Sequence, residues 1–171
     1  MSCALTQGYT LDCRDSAGGV KSVYFSAFDN VSGIISSNGT ISAIAKANNG
    51  RFWKYNLTRA TASALEEYND SIENGTSFNR QTLTIILNKM QAATRNEIAL
   101  LGQIRLVAVV EDRNGKYWYY GKENGLMREG GNGGTGTAMG DRNGYELIFT
   151  GDEKDMAFEV SSSVITTLET P

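Results

Sequence analysis

The sequence predicts a mainly β fold, a β-sandwich or partial barrel with one internal helix and a long protruding hairpin. Three observations predict it. Apolar and polar residues alternate with a period of two in several short segments, as at Val20–Phe28, Ile104–Glu111 and Tyr145–Thr150. Asn-Gly dipeptides at 38–39, 74–75, 114–115 and 143–144 punctuate those segments where tight turns are needed. Only residues 88–102 combine helical apolar spacing with start and stop signals. At 171 residues the chain suits one domain, since single cores usually run to roughly 100–200 residues. Residues 1–171 are therefore read as a single unit, with an N-terminal arm at 1–19 and a C-terminal tail at 162–171.

In chain order, residues 9–19 are polar and irregular and end in a Gly pair. Val20–Phe28 is a strand, with Val23 and Phe25 on one face and Tyr24 and Ser26 on the other. Val31–Ala47 holds short β pieces broken at Gly33 and at Asn38-Gly39. Residues 51–69 read as either strand or helix. Strand is preferred, because neither a cap nor a Gly stop marks a helix. With 76–87 returning after Asn74-Gly75, residues 51–87 form a hairpin with arms of about 12–18 residues, against ~5–6 for an ordinary strand. Such a hairpin overhangs its own core and needs another surface to pair with. The helix spans 88–102, with Asn88 as cap, Gln91 completing a capping box and Gly102 as the stop. Its Met90, Ala93, Glu97, Ile98 and Leu101 trace a face expected to pack on its own sheet. The hairpin from Ile104 to Tyr120 is apolar on both faces, which places it centrally. Residues 126–140 read as a Gly-rich loop, 145–150 and 156–161 as strands, and 162–171 as a loose tail.

Composition excludes several chemistries. The chain has no His, so Ser-His-Asp triads, Cys-His dyads, His-dependent zinc sites and imidazole acid–base catalysis are out. A net charge of -3 supplies no basic footprint for holding nucleic acid. No apolar run approaches the ~18–20 residues of a membrane span, and residues 1–6 lack a secretory pattern, so no membrane association is expected. Cys3 and Cys13 are too few for a four-ligand zinc site. Reduced thiols are the plain reading, with a disulfide or a nucleophile as the alternatives. The stretch Gly130–Gly140 lacks both the Lys-Ser/Thr of a phosphate loop and the spacing of a dinucleotide fingerprint. Carboxylates are common, but nothing in the sequence pairs two across a cleft. No catalytic residue, cofactor or metal site is expected. The acidic cluster Glu66, Glu67, Asp70 and Glu73 stands out because no Lys or Arg lies between Ala60 and Asn79. In a ring of copies these charges would coat a channel and repel passing DNA.

The helix after a long hairpin, the apolar hairpin VVEDRNGKYWYYGKENGL and the run GGTGTAMGDRNGYELIFTGDEKDMAFEV resemble the tail tube proteins of long-tailed bacteriophages and the inner tubes of contractile injection systems. The most specific piece is the GxxxGDxxGYxLxFTGxE shape at Gly136–Glu153, and LDCRDSAGGV at 11–20 is similar too. The resemblance implies a virion structural subunit, assembled in the host cytoplasm into the tail. It implies hexameric rings whose hairpins pair into one inner barrel, with Glu66, Glu67, Asp70 and Glu73 facing the lumen. Stacking through loops and arms would use Cys13, Arg14, Asp15, Arg128, Glu129 and Met139. The implied partners are further copies of the chain, a tape measure, terminator and baseplate proteins, a sheath where the tail contracts, and double-stranded DNA in transit. Two other readings remain: a capsid decoration or tail-fibre β-domain, and a carboxylate-based hydrolase.

Overall fold

Alternation and turn chemistry decide most of the strands. The computed structural model describes residues 5–47 and 49–170. Its strands are β1 (Val20–Ala27), β2 (Val31–Ser37), β3 (Thr40–Lys46), β4 (Trp53–Asn56), β5 (Ala62–Ser71), β6 (Thr76–Asn88), β7 (Leu106–Asp112), β8 (Tyr117–Tyr120), β9 (Met127–Gly134), β10 (Gly144–Glu153) and β11 (Phe158–Val160). Helices α1 (Ala92–Leu101) and α2 (Ser162–Leu168) complete the set. The mainly β expectation holds. Asn38 and Gly39, both at positive φ, turn β2 into β3, and Gly33 sits at a register shift between them.

The strands form two sheets. The first has seven strands in the order β2-β3-β11-β8-β7-β1-β4, and the second has four in the order β5-β6-β10-β9. Every pairing is antiparallel except β11 with β3. Val23, Phe25, Leu106, Ala108 and Val110 of the first sheet share a buried cluster with Leu83, Ile85, Leu147 and Phe149 of the second. The Phe25 and Phe149 rings meet across the layers with centroids 5.2 Å apart. Each such buried side chain contributes about 1.5–3 kcal/mol. β7 is buried along nearly its whole length because it lies between β8 and β1 with both faces covered. Its other face, with Val107 and Val109, joins Tyr24, Tyr119 and Phe52 under Val164 and Leu168 of α2.

The structure revises several expectations. Residues 51–69 are not one hairpin arm. Trp53–Asn56 pairs with β1 in the first sheet, and the chain then crosses through a turn with Ala60 at φ 60° before β5 begins in the second. The hairpin is thus β5–β6, and it packs on its own core: β10 pairs β6 from Asn79 to Asn88, leaving Asn69–Phe78 to extend beyond β10. Asn88 does not cap the helix. It ends β6 and donates to Thr58 Oγ1 at 3.0 Å, while α1 starts after Gln91. Gly102 ends α1 as expected, and Ile98 and Leu101 are its buried residues.

Residues 126–140 are largely strand rather than loop. Two of the β9 glycines lie under β10 side chains: a Cβ on Gly133 would sit 2.7 Å from the Tyr145 ring, and one on Gly130 would sit 3.7 Å from Ile148. The tail is not loose over 162–170, since α2 packs on the first sheet and Lys46 Nζ caps its end at the carbonyls of Thr167 and Thr170.

Candidate functional site

The second sheet turns one face to the core and leaves the other uncovered. On β6, Asn79, Gln81, Leu83 and Ile85 point inward and are buried, so Arg80, Thr82, Thr84 and Ile86 point outward. Register carries that parity across the sheet. One outer row runs Glu67–Arg80–Asp152, the next Leu65–Thr82–Thr150–Met127, and the next Ser63–Thr84–Ile148–Gly130. Glu146 lies outward beside Ile86, and Glu129, at a bulge in β9, accepts a bond from Thr150 Oγ1 at 2.7 Å.

Arg80 forks onto Asp152, with Nε to Oδ1 at 2.8 Å and Nη2 to Oδ2 at 3.1 Å. That hydrogen bond holds the Asp152 carboxyl below its ordinary value, and Asp152 in turn raises Arg80. Four carboxylates (Glu67, Glu129, Glu146 and Asp152) therefore share this face with Arg80, whose charge Asp152 neutralises. Arg142 approaches Glu146 from the β9–β10 loop at 3.9 Å. Between the charges lie four hydroxyls (Ser63, Thr82, Thr84 and Thr150) and four apolar side chains (Leu65, Ile86, Met127 and Ile148), so the face is mixed and its field is net negative.

The four predicted acidic residues do not share this face. Glu67 is on it. Glu66, one residue earlier, must point the other way and does: its Oε1 accepts from Gln81 Nε2 at 3.0 Å and from the Ala157 amide at 2.6 Å. Asp70, exposed, has the parity of Glu66 beyond the end of β10, and Glu73 lies in the turn at the hairpin tip. Glu129, Glu146 and Asp152 share that face through the parity of β10 and the bulge in β9, which residue spacing alone does not reveal. Gln81 was also missed. It joins the layers by donating to Glu66 and accepting from the Gly121 amide at 2.9 Å.

The predicted contact residues fall in three places. Cys13, Arg14 and Asp15 lie on an exposed extended arm, and Cys3 lies outside the described residues. Arg128 sits half-buried on β9 on the inner side, near Gly102 of α1, whereas Glu129 is on the outer face. Met139 is fully exposed on the β9–β10 loop. That loop is shaped by Asp141, whose Oδ2 accepts from the amides of Thr137 and Ala138 at 2.9 and 2.8 Å. The Ala138 and Thr137 bonds hold its carboxyl below the ordinary value.

Both margins of the second sheet are open. β5, with ten residues, and β9, with eight, are its edge strands. Exposed Leu65, Tyr68 and Ile72 lie along β5 and its tip, and exposed Met127 starts β9. Edges this long are rarely left bare by a protein that stays single. No helix of the described residues is long and apolar enough to cross a membrane. The chain matches no family model, no curated protein and no solved structure.

Proposed function

We propose that the chain is the structural subunit of a bacteriophage tail tube. Copies join through the second sheet into hexameric rings, the rings stack, and the lumen conducts DNA during ejection. One observation carries this reading: the two bare edges belong to the same all-antiparallel sheet of four strands. Four antiparallel strands leave β5 and β9 running in opposite directions. A simple rotation therefore sets β5 of one copy antiparallel to β9 of the next, and the sheet continues without a break. The hexamer number comes from the resemblance. Six such sheets close a barrel roughly 48 Å across, at ~4.8 Å per strand and ~40° tilt, and barrels of about 16 strands already leave an aqueous channel.

In that barrel the face that packs on the core becomes the outer layer, and the acidic face becomes the wall. DNA passes such a wall without adhering, because cationic contacts are what create affinity. The tape measure, terminator, baseplate and any sheath would meet the ends and outside of the tube. The experiment is electron microscopy of the purified protein and of the particles that carry it. Rings or tubes with a central channel are expected. Compact monomers at high concentration, with no rings in particles, overturn the reading in favour of a capsid decoration or tail-fibre domain. A sharper version uses Tyr68→Pro. The pairing register points the Tyr68 amide away from β6, since the Thr61 carbonyl accepts from Ile86 at 2.8 Å and bonding direction alternates from there. Proline at 68 thus spares the β5–β6 ladder and blocks only the open edge. Ring formation should be lost with folding retained.

A further inference from the structure

We propose that residues 5–13 of one copy add as an extra strand to the free edge of β4 in a second copy, filling the groove between β4 and α1. β4 is one of the two edge strands of the first sheet, the other being β2. Leu57 donates to Lys21 on the β1 side at 3.3 Å, whereas Phe52 donates the other way, to Leu168, at 2.8 Å. Alternation therefore leaves the N–H and C=O of Lys54 and Asn56 aimed at the open side. Beside that edge runs a groove of about 510 Å³ lined by Trp53, Tyr55, Leu57, Ala93, Glu97 and Ile98. Trp53 is 56% exposed. An unpaired strand next to an apolar trough and a helix is the geometry that captures an extended peptide.

The chain carries such a peptide. Residues 5–19 are exposed throughout and have no partner strand among the described residues. Leu5, Tyr9, Leu11 and Cys13 fall on one face of an extended segment, with Gln7, and Thr6, Gly8, Thr10 and Asp12 fall on the other. This is the alternation of a half-buried strand in a segment that buries nothing in its own protomer. Register on β4 fits it. Trp53 and Tyr55 share the parity of Phe25 and Val23 toward the second sheet, and Lys54 lies on the opposite, α2 side, over the ring of Tyr24. An arm seated with Leu and Tyr inward sets Asp12, the one charge on its polar face, on the side of Lys54. In its own protomer the arm leaves that edge unfilled: residues 5–13 are exposed and pair with no strand among the described residues. Ala17 is tied to Asn114 in the β7–β8 turn at 2.7 Å, and the strand order β8-β7-β1-β4 puts β4 on the far side of β1.

The test is hydrogen exchange on the full chain across a concentration series, alongside sedimentation. Amides of residues 5–13 and of Lys54 and Asn56 should slow together as copies associate. Asn56→Pro and Lys54→Pro, which each remove an edge-facing amide, the second together with the Lys54 charge, should both abolish these effects. Leu11→Asp, on the exposed arm, should weaken association about tenfold or more and guards against a folding defect in Lys54→Pro. Asp12→Lys and Lys54→Glu should each cost roughly fivefold at low salt, and the double variant should recover most of it. Protection that does not depend on concentration means the arm folds on its own protomer and overturns the proposal. So does an associated form in which β4 stays unprotected. β4 and β5 lie in different sheets, so arm exchange should survive in Tyr68→Pro, and failure of ring closure leaves it standing.

Discussion

Glu111 on β7 is a buried carboxylate, with Lys21 Nζ at 2.7 Å and Ser22 Oγ at 2.5 Å. Burial pushes its carboxyl up. The hydrogen bonds from Lys21 and Ser22, together with the Lys21 charge, outweigh that and hold it below the ordinary value of about 4.5. A group whose folded pKa is depressed stabilises the fold above its unfolded pKa, and that contribution is lost as pH falls through the folded value. Urea unfolding of the native chain should therefore lose stability below about pH 4.5 more steeply than Glu111→Gln, which has no proton to bind there. Equal acid slopes in the two would remove Glu111 from the acid limb, leaving it to Asp141 and Asp152, whose carboxyls are also depressed. Residue chemistry of this kind was only partly legible. The sequence put Glu111 in an apolar strand and marked Glu66 and Glu67 as acidic. It did not say that Glu66 would be spent on Gln81 and Ala157, because that depends on which parity β6 and the segment before β11 present to it.

Elements were legible where one signal dominated. β1, β7 and β10 follow from alternation, and the β2–β3, β5–β6 and β7–β8 turns follow from their Asn-Gly pairs. Misreadings arose where two signals competed. Val164, Ile165, Thr166 and Thr167 are β-branched and poor helix formers, yet α2 forms because Val164 and Leu168, one turn apart, are buried on the first sheet. Glycines at 130, 131, 133 and 134 suggest a loop, yet β10 holds them as an edge strand. Gly131 makes that pairing dependent on glycine. It sits at φ 128°, and a Cβ there would lie 2.1 Å from the Glu146 carbonyl oxygen. Gly131→Ala should cost about 2–3 kcal/mol and lower Tm by roughly 5–10 °C. Hydrogen exchange should show the loosening confined to β9 and the β10 residues facing it. Under the tube reading it should also weaken ring closure, since β9 is one of the two joining edges. A melting temperature unchanged from the native chain would mean that β9 does not depend on a close backbone approach at Gly131.

At the scale of the whole molecule, the two sheets divide the work by exposure. The first is covered on both faces, by the second sheet and by α2, and its margins are β2, with seven residues, and β4, with four. The second keeps one face and two long margins free. A wall made from that free face has a sign, and the sign is testable apart from the assembly. Glu67, Glu129 and Glu146 can each become Lys with both members of the Arg80–Asp152 fork and every buried side chain kept, at the cost of added repulsion at Arg80 and Arg142. Under the tube reading, rings and tubes should still form, because the paired edges would use backbone groups. The wall would then carry cations facing the duplex. Each added cation that neutralises a phosphate adds nearly one unit to the slope of log affinity against log salt. Tubes of the triple variant should bind double-stranded DNA at low salt and release it as salt rises, and native tubes should show no such binding. Particles carrying the variant should eject their DNA more slowly, with the defect relieved by salt. Variant tubes that ignore DNA at every salt concentration would mean that this face does not line the channel, whichever edges hold the ring together.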